Sequence, residues 1–576
     1  MAPTAPTVIL HDVQSQSWLE FRNPIAIFTA HTAEQVLPLL ETLQQQIDQH
    51  QLYAAGFLSY EASPAFDPAF TVKPTSFPLA WFGLYLKPES IKLPPPALSQ
   101  SLHWTPSINQ SQYQQAFDSV KHYIRQGLTY QVNLSFRLKA QFQQHPWQYF
   151  NQLAQNAQYG AFIETPDWAI CCASPELFFR QNDHEIYCRP MKGTVPRGLT
   201  HDGDRLLAQW LQNSEKNQAE NIMIVDMIRN DLGRIAQLGT VKVSSLFDIE
   251  QYPTLWQMTS SVQCQTQATL GEIFQALFPC ASITGAPKLR TMKIIAELEE
   301  TPRKIYTGTI GFITPDRTSQ FNVAIRTVLI NKNEQIAEYG VGGGIVWVSQ
   351  AGDEFEECRT KAKILTAQKP EFSLLETLLW TPEKNYFLLD LHLKRLITSA
   401  QYFAFPIDQS TVQNYLKAIA LTFPSQPQKV RLLLSPQGTL THESAPLAQT
   451  QVPLRVCLAI SPVNSTNVFL YHKTSDRQIY TQAQQQCPGY DDVILWNENG
   501  ELTEFCTGNL VVELDGKWYT PPVECGLLAG TFRAWLLDQN IVQERIIRVK
   551  ELANCSRVFL VNSVRQKQEA IVCPPH

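Results

Sequence analysis

The sequence lacks a strong excess of charge of either sign. Its 46 lysines and arginines face 52 aspartates and glutamates, which gives a formal net charge of −6. Nucleic-acid binders usually carry a basic excess, so this balance argues against a polyanionic partner. Charged residues make up only 17% of the chain against 44% hydrophobic residues, a composition that excludes a disordered protein. We expect folded globular domains and no nucleic-acid partner.

Long apolar runs are also missing. No stretch approaches the roughly 20 apolar residues that span a bilayer. The first residues, Met1-Ala-Pro-Thr-Ala-Pro6, have no basic segment followed by an apolar one, as a signal peptide would. We therefore expect a cytoplasmic protein without a membrane partner.

The 12 cysteines show no CxxC spacing. This absence excludes the common zinc-binding motifs, and the scattered positions from Cys171 to Cys573 do not indicate a disulfide framework. We expect most of these cysteines to be buried as small apolar side chains.

Length and proline placement predict several domains. At about 150 residues per domain, 576 residues correspond to three or four domain equivalents. The run Leu93-Pro-Pro-Pro-Ala97 and the pair Lys369-Pro370 interrupt the pattern of predicted helices and strands. The resulting division is an N-terminal lobe over 1–105, a central domain over 106–368 and a C-terminal domain over 369–576.

Periodicity predicts the main elements. The long helix Ser214–Gly233 has Ile222, Val225, Ile228 and Leu232 on a predicted core face. The other predicted helices are Tyr113–Gln126, Asp353–Ala367, His392–Phe403 and one that opens after Gly530. The predicted strands include Ala54–Tyr60, Tyr130–Phe136, Ile305–Phe312 and Phe321–Ile330, with turns at Thr314–Arg317 and Asn499–Gly500.

Single polar residues carry little information here. Glu220 lies four residues after Lys216, which is typical of an exposed helix pair worth about 0.3 kcal/mol. Glu354, Glu357 and Lys361 share one helix face, which is typical of a solvated surface.

The order of whole motifs in the central domain is more specific. In sequence they are Ser174-Pro-Glu-Leu177, Arg189-Pro-Met-Lys-Gly-Thr194, Ala219-Glu-Asn-Ile-Met-Ile-Val-Asp-Met-Ile-Arg-Asn-Asp231, Ser282-Ile-Thr-Gly-Ala-Pro-Lys288, Ala324-Ile-Arg-Thr327, Gly342-Gly-Gly-Ile345 and Glu354-Phe-Glu-Glu-Cys-Arg-Thr-Lys361. This set resembles the chorismate-binding enzymes, which include anthranilate, isochorismate, salicylate and aminodeoxychorismate synthases. The resemblance runs from about residue 110 to 368 and implies a large α+β fold, a β-sandwich with surrounding helices.

The resemblance also implies how the substrate is held. Chorismate carries two carboxylates, so its site needs cations, backbone donors and a metal ion. Glu220 and Glu357 would hold Mg²⁺, an ion that prefers hard carboxylate oxygens. The implied substrate-binding residues are Gln131, Thr284, Gly285, Tyr306, Arg326, Gly342, Gly343, Gly344 and Lys361.

Two positions separate reactions within this family. Members that add water have a lysine where this chain has Gln131, which favours ammonia as the nucleophile. Anthranilate-forming members have Pro-Ile-Ala-Gly-Thr where this chain has Lys192, a residue typical of the aminodeoxychorismate-forming members. By resemblance, neutral Lys192 attacks the ring and Glu176 protonates the departing hydroxyl, which requires a lowered pKa for Lys192 and a raised pKa for Glu176.

One position departs from the family. Many relatives have a histidine where this chain has Gln257, three residues before Ser260. Glutamine can donate a hydrogen bond but cannot carry a proton through a reaction. We expect no acid–base role for Gln257.

A second resemblance covers about residues 371 to 576. Its motifs are Phe469-Leu-Tyr-His-Lys-Thr-Ser-Asp-Arg477, Leu502-Thr-Glu-Phe-Cys-Thr-Gly-Asn509 and Thr520-Pro-Pro-Val-Glu-Cys-Gly-Leu-Leu-Ala-Gly-Thr-Phe-Arg533. They resemble the fold-type IV enzymes that use pyridoxal 5′-phosphate (PLP), a group of aminotransferases and aminodeoxychorismate lyases. An α/β domain of that type is implied.

The second resemblance implies a cofactor site. Lys473 would bind PLP covalently and also act as the catalytic base, and Glu504 would pair with the pyridine nitrogen. The phosphate would be held by Arg395 and by the helix N-terminus at Gly530 and Thr531. Asn562 and Ser563 would line the same site. His392 and His472 would be packing or orienting residues, and Thr377 could assist the release of pyruvate.

The C-terminal domain also departs from its family. Relatives have a strand and a Gly-Asp-Gly-type turn before the segment that corresponds to Phe372-Ser-Leu-Leu-Glu-Thr377, whereas here that segment follows Lys369-Pro370 directly. The first strand of the small sheet is therefore shortened or absent. Either the preceding domain completes the sheet or an open edge favours a homodimer.

The two resemblances together imply p-aminobenzoate synthesis for folate. The first half would convert chorismate and ammonia to 4-amino-4-deoxychorismate, and the second would release pyruvate to give p-aminobenzoate. Two alternatives stay open for the C-terminal domain: an aminotransferase of ordinary amino acids, or an inactive PLP fold that serves as an oligomerisation module. An inactive module would lack the colour of a lysine-bound PLP.

The source of ammonia provides a test. No Gly-x-Cys-x-Gly nucleophile elbow, as found in glutamine amidotransferases, surrounds any of the 12 cysteines. We expect a separate glutamine amidotransferase subunit or direct use of ammonium. The purified chain should therefore release no ammonia from glutamine in a coupled dehydrogenase assay, and release by the chain alone would refute this expectation.

Overall fold

The computed structural model describes residues 6–94, 102–154, 157–365, 372–449 and 452–573. The chain forms two compact units. The first comprises residues 1–195, 211–252 and 256–368, and the second comprises 196–210, 253–255 and 369–576. The predicted domain ends at 105 and 368 stay predictions. Lys369-Pro370 and most of the Leu93–Ala97 run lie outside the described residues.

The first part of the chain is rich in strands. In chain order they are β1 (Thr7–Asp12), β2 (Ser17–Phe21), β3 (Ala26–Ala30), β4 (Tyr53–Leu58), β5 (Ala80–Tyr85), β6 (Glu89–Ile91), β7 (Thr105–Pro106), β8 (Gln131–Gln141), β9 (Tyr159–Glu164), β10 (Trp168–Ser174), β11 (Leu177–Asn182), β12 (Glu185–Arg189), β13 (Met191–Pro196), β14 (Lys242–Gln251), β15 (Leu255–Gln265), β16 (Gly285–Ala286), β17 (Thr309–Ile313), β18 (Ser319–Val323), β19 (Thr327–Asn331) and β20 (Ile336–Ile345). The α-helices are α1 (Ala33–His50), α2 (Gln110–Arg125), α3 (Pro146–Leu153), α4 (His201–Asn213), α5 (Glu215–Gly233), α6 (Leu270–Leu277), α7 (Lys288–Leu298) and α8 (Ala351–Ala362).

These strands build two ten-stranded sheets. One has the order β16-β8-β20-β19-β10-β9-β1-β2-β6 with β7 beside β8, and the other has the order β13-β15-β12-β11-β18-β17-β4-β5-β3 with β14 beside β15. Apolar side chains from both sheets share one core, where Ile170 and Cys172 of β10 cluster with Phe57 of β4 and Ile310 of β17. This packing confirms the predicted sandwich.

The second unit contains two further sheets. Its strands are β21 (Leu374–Thr381), β22 (Asn385–Tyr386), β23 (Gln428–Leu434), β24 (Leu440–Pro446), β25 (Leu454–Leu458), β26 (Asp492–Trp496), β27 (Leu502–Phe505), β28 (Asn509–Leu514), β29 (Lys517–Thr520), β30 (Gln543–Glu544), β31 (Arg557–Asn562) and β32 (Gln566–Val572). Its α-helices are α9 (Leu389–Phe403), α10 (Gln409–Ala420), α11 (Gln478–Gln486) and α12 (Thr531–Asp538). The larger sheet runs β27-β26-β25-β32-β31-β28-β29-β30, and an extra pairing of β27 with β28 closes it into a barrel-like ring.

The smaller sheet has the order β22-β21-β23-β24. The two-residue strand β22 pairs with only the end of β21, at Trp380 and Thr381. The start of β21 is bridged to Thr474, and Leu375 N–H donates to the carbonyl of Lys473 at 2.9 Å. The segment around Lys473 therefore lies along the start of β21.

Most predicted elements are confirmed, with three corrections. Ile222 is 44% exposed, and the apolar core face of α5 begins instead at the buried Ile224. Residues 305–308 form turns before β17, because Thr307 adopts φ +62°. The predicted strand 321–330 breaks at Ala324–Arg326, where Arg326 adopts φ +52°.

The cysteine and membrane expectations can be compared with the structure. All 12 cysteines are free thiols, and ten of them are buried. Over the described part of the chain, no helix combines the length and apolar character needed to cross a membrane.

A buried charge cluster connects distant segments of the first unit. The Arg303 guanidinium is 2% exposed and donates to Glu299 at 2.6 Å and to the carbonyl of Asn133 at 2.7 Å. The Glu61 carboxylate, from the N-terminal segment, accepts the backbone N–H groups of Arg303 and Lys304 at 2.7 and 2.8 Å. These bonds satisfy charges that burial would otherwise make costly.

Breaking this cluster should destabilise the fold. We expect Arg303→Met to lower the free energy of unfolding by about 3 kcal/mol, because buried Glu299 would lose both close bonds to Arg303 and keep, as an ion pair, only the longer contact with Arg137 at 3.6 Å. Arg229→Met is the matched control: its pair with Asp226 spans i,i+3, but both side chains are more than half exposed. That pair should contribute less than about 1 kcal/mol. Urea denaturation of the full chain measures both, and equal losses would contradict the argument.

Candidate functional site

The first candidate site is built around Ser282. This buried serine follows Cys280, in the turn before β16. Its hydroxyl donates to Glu176 Oε1 at 2.6 Å, and its carbonyl accepts from Lys192 Nζ at 2.9 Å. One residue therefore contacts both groups that the sequence predicts to be catalytic.

The environment shifts both groups in the predicted directions. Burial raises the pKa of Glu176 to about 7, although the bond from Ser282 and the charge of Lys192 oppose this rise. Burial lowers the pKa of Lys192, against the opposing charges of Glu176 and Glu220. A carboxyl that keeps its proton near neutrality and an amine that loses its proton easily suit an acid and a nucleophile.

The strand that carries Lys192 is held in place directly after the lysine. Gln257 of β15 donates to the carbonyl of Gly193 at 2.8 Å and accepts from the Thr194 hydroxyl at 3.0 Å. Both functions of the Gln257 amide are therefore used within the protein. The absence of an acid–base role for Gln257 stays a prediction.

The glycine run lies within β20, not in a loop. Gly342, Gly343 and Gly344 pair with Ser135, Leu134 and Asn133 of β8. A Cβ on Gly342 would lie 2.4 Å from the Leu134 carbonyl oxygen, and a Cβ on Gly344 would lie 2.4 Å from Gln131 Nε2. These glycines are thus required by close approach of the partner strand and its side chains.

Gln131 has an unusual environment beside these glycines. It is fully buried, and neither its amide nitrogen nor its amide oxygen has a hydrogen-bond partner among the described residues. Gly285, at φ +136°, approaches the Gln131 carbonyl so closely that a Cβ there would lie 2.1 Å away. Buried unpaired amide groups are costly, so a polar ligand at this position would satisfy them.

The remaining predicted ligands surround the same region. Lys361 Nζ contacts Glu357 Oε1 at 2.8 Å and the Gly342 carbonyl at 2.9 Å. Tyr306 packs against Gly340, and a Cβ on Gly340 would lie 2.2 Å from the tyrosine ring. The Arg137 guanidinium lies over the same ring, 5.0 Å from its centroid. Arg326 lies between β18 and β19, and its charge acts on Glu176. Thr284 donates its hydroxyl to the Cys280 carbonyl at 2.8 Å.

Two carboxylates could take part in holding a metal ion. Burial raises the pKa of Glu220 and Glu357 raises it further, although Lys192 opposes both. Burial alone would raise the pKa of Glu357. The positive charge of Lys361 and its hydrogen bond outweigh this effect, so the pKa of Glu357 is lowered. Within the described ranges, the Glu220 carboxylate has no hydrogen-bond or ion-pair partner. The same ranges contain no group of three or more His, Cys, Asp or Glu side chains that could hold a metal ion. The pair fits a cation that is also bound by water and substrate.

The second candidate site centres on Lys473 in the second unit. Its side-chain amine has no hydrogen-bond partner among the described residues. Burial lowers the pKa of Lys473 to about 8, and the positive charge of Arg395 adds to this effect, while Glu376 and Glu504 oppose it. A poorly solvated, easily deprotonated lysine is suited to covalent bonding with a carbonyl group.

Arg395 is held rigidly near this lysine. Its guanidinium makes two bonds to the buried Glu376 carboxylate, at 2.8 and 2.6 Å, and a third to the Ala529 carbonyl at 3.3 Å. His392 also contacts Glu376, through Nδ1 at 2.7 Å, and its Nε2 faces the Thr531 hydroxyl at 3.3 Å. His392 thus lies between two partners, and its orienting role stays a prediction.

The other predicted cofactor ligands lie on neighbouring elements. Gly530 is the N-cap of α12, and Thr531 is its first residue. Asn562 closes the turn after β31 by accepting the N–H groups of Val564 and Arg565, and Ser563 donates to the Thr377 carbonyl at 3.2 Å. Glu504 is buried on β27, and burial raises its pKa to about 7. His472 contacts the Ser399 hydroxyl at 2.9 Å.

Sequence reasoning missed the residues that connect these groups. Ser282 and Glu376 both lie inside motifs that were recognised, so their position there was an available signal. Tyr480, which donates to Glu504 at 2.8 Å, lies outside those motifs on α11. No pattern in the sequence distinguishes Tyr480 from an ordinary apolar-face tyrosine.

Comparisons with known proteins identify two families along the chain. Residues 86–367 match the model of the chorismate binding enzyme family, and residues 373–569 match the amino-transferase class IV family. Aminodeoxychorismate synthase component 1 of Bacillus subtilis is 40% identical over 254 residues, which cover 43% of this chain and 54% of that protein. Anthranilate synthase component 1 1 of Haloarcula marismortui is 36% identical over 275 residues, 47% of this chain and 56% of that protein.

The fold of the first unit is also found in solved structures. Anthranilate synthase component I from Streptococcus pneumoniae matches with a TM-score of 0.54 at 24% identity, over 64% of this chain and 93% of that one. The chain spans about half the length of the curated relatives it matches. Residues 86–367 therefore form a chorismate-binding enzyme domain, and residues 373–569 form a class IV aminotransferase domain.

Proposed function

We propose that this protein makes p-aminobenzoate in two steps. The first unit converts chorismate and ammonia to 4-amino-4-deoxychorismate, and the second removes pyruvate from that product. The observation that carries the proposal is the contact of Lys192 and Glu176 with the same residue, Ser282, inside a chorismate-binding region. The name of the Bacillus subtilis relative supports the same first reaction.

The first step uses Lys192 as a temporary substituent. Its neutral amine attacks C2 of the ring while the C4 hydroxyl leaves as water, with the proton supplied by Glu176. Ammonia then attacks C4, the amine of Lys192 departs from C2, and the excess proton returns to Glu176. The raised pKa of Glu176 and the lowered pKa of Lys192 match these two roles.

The substrate carboxylates require positive partners and donors. We assign this task to Arg326, Lys361 and Tyr306, with the unpaired Gln131 amide facing the ring substituents. Thr284 and Gly285 would line the ring. Mg²⁺ held by Glu220 and Glu357 would neutralise a substrate carboxylate as a Lewis acid when bound.

The second step takes place in the class IV domain. When bound, PLP supplies an electron sink for the carbanion at C4 of the substrate. Lys473 would take the C4 proton, which its pKa of about 8 permits near neutrality. Glu504 would face the ring nitrogen, while Arg395 and the backbone at Gly530 and Thr531 would meet the phosphate, with Asn562 and Ser563 beside them.

We infer that ammonia comes from a separate glutamine amidotransferase. The matched relative from Bacillus subtilis is named component 1, which is the name of one part of an assembly. Strand β24 lies at the outer end of the small sheet, with no further strand beside it among the described residues, and we propose a homodimer through this domain.

An aminotransferase activity of the second unit is the alternative. The name of the family that matches residues 373–569 favours it. An aminotransferase would move the amino group to a keto acid, whereas a lyase keeps it on the aromatic product. With 15N-labelled ammonium, label retained in p-aminobenzoate identifies the lyase.

Separate substitutions should stop the pathway at separate points. With chorismate, Mg²⁺, ammonium and PLP, we expect the wild-type chain to release p-aminobenzoate and pyruvate. Lys192→Ala should give neither product, because the nucleophile is lost. Lys473→Ala should accumulate 4-amino-4-deoxychorismate, because the base is lost. Chromatography with mass detection follows all species.

Two exposed lysines serve as controls in this assay. Lys242→Ala on β14 and Lys429→Ala on β23 remove a positive charge outside both sites and should leave the products unchanged. Anthranilate as the product would refute the role of Lys192. Accumulation of the intermediate by the wild-type chain would refute the lyase.

The pH dependence of the first step should report on Glu176. The acid works in its protonated form, so the rate should fall as the pH rises through about 7, the pKa of Glu176. The hydrogen bond from Ser282 favours the carboxylate, so Ser282→Ala should move this fall to higher pH. The rate is measured with the concentration of free ammonia held constant.

Ser119→Ala is the matched control for this pH profile. Its exposed hydroxyl donates only to the Gln115 carbonyl. The rate of the control should fall at the same pH as the rate of the wild-type chain. A profile of Ser282→Ala that overlays the control would contradict the role of Glu176 as the acid.

A further inference from the structure

Glu504 is held at both oxygens by uncharged donors. Oε1 accepts the Tyr480 hydroxyl at 2.8 Å, and Oε2 accepts the Asn509 amide at 3.3 Å. The carboxylate is 3% exposed, so water contributes little to its solvation. Its state of ionisation therefore depends on these donors and on the neighbouring charges of Lys473 and Arg477.

Tyr480 is fixed independently of Glu504. It is 7% exposed on α11 and packs in an apolar cluster with Leu470 and Val493. The Arg477 guanidinium lies 4.3 Å from the centroid of its ring and also donates to the Cys506 carbonyl. The phenol is thus held in one position, with its hydroxyl directed at the carboxylate.

Asn509 connects the same carboxylate to the loop before α12. Its amide nitrogen also donates to the Leu528 carbonyl at 2.7 Å. Its amide oxygen lies 1.8 Å from the position that a Cβ on residue 530 would occupy, so only glycine fits there. Glu504 and the proposed phosphate loop are therefore fixed relative to each other.

We propose that Tyr480 is a positioning residue that keeps Glu504 ionised and directed at the pyridine nitrogen of PLP. The inference rests on the proposed PLP site. A hydroxyl that donates to a carboxylate stabilises its charged form, and an ionised partner keeps the ring nitrogen protonated. Without this bond, the more basic carboxylate would take the proton from the ring nitrogen.

The effect on Glu504 has a definite direction. Burial raises its pKa to about 7, and the bond from Tyr480 is the largest of the influences that lower it. Removal of the hydroxyl leaves burial less opposed, so the pKa rises further. Near neutral pH the carboxyl then holds the proton.

The test measures the ring nitrogen directly. The full chain is reconstituted with PLP labelled with 15N at the ring, and the 15N chemical shift is followed by NMR at pH 7.5. We expect a protonated nitrogen in the wild-type chain. Tyr480→Phe should shift the proton toward Glu504 by about ten- to a hundredfold, the size of one hydrogen bond to a charged group.

Tyr386→Phe is the matched control. It also removes one tyrosine hydrogen bond, to the Leu416 carbonyl at 3.0 Å, but on the small sheet away from Glu504. It should retain the wild-type 15N shift. If Tyr480→Phe does not fold, Tyr480→3-fluorotyrosine tests the same point in a pH titration of the 15N shift. A more acidic phenol is a stronger donor, so the ring nitrogen should stay protonated up to a higher pH than in the wild-type chain, and an unchanged titration would overturn the role of Tyr480.

The outcomes distinguish the role of Tyr480 from the proposed PLP-dependent second step. A wild-type 15N shift in Tyr480→Phe, with PLP bound and p-aminobenzoate still produced, overturns the role of Tyr480 alone. A wild-type chain that binds no PLP overturns the proposed second step, and this inference with it. Loss of ring protonation in Tyr480→Phe but not in Tyr386→Phe supports the inference.

Discussion

The pairing of β8 with β20 is the constraint on which the first site depends. Ten residue pairs, from Ile336 with Gln141 to Ile345 with Val132, lock the two strands in one register. Because side chains alternate along a strand, a shift of one residue would turn Gln131 to the opposite face. The same ladder places the Gly342 carbonyl opposite Lys361. The close approach of these strands explains why glycines occupy β20.

Burial sets the chemistry at both sites. A charged group removed from water shifts its pKa toward the neutral form unless a partner compensates. Glu176 and Glu504 are both raised to about 7, and Lys473 is lowered to about 8. In contrast, Glu376 is buried to a similar degree but paired with Arg395, which holds its pKa down at about 2. The pKa values of these glutamates therefore differ because their neighbouring groups differ, although the residue type is the same.

Connecting residues give each site its geometry. Ser282 contacts an acid and an amine through two different atoms, and Asn509 contacts a carboxylate and a loop through one amide. Neither residue needs to react. Each restricts the positions of groups that do, which matters because small displacements of a reacting group cost large factors in rate. Substitutions at such positions are expected to change pH profiles and spectra more than folding.

The sequence alone predicted the two families, the sandwich and the candidate site residues Lys192, Glu176, Lys473 and Glu504, because these predictions depend on motifs that are contiguous in the chain. Tertiary structure decided which residues meet them. Ser282 lies 90 residues from Lys192 in sequence, and Thr474 completes a bridge to Leu374 across a hundred residues. Local patterns also misjudged Ile222 and the turn before β17, where exposure and a positive φ depend on distant packing. Contacts between distant segments leave no periodic signal, so Tyr480 could be found only in the folded chain.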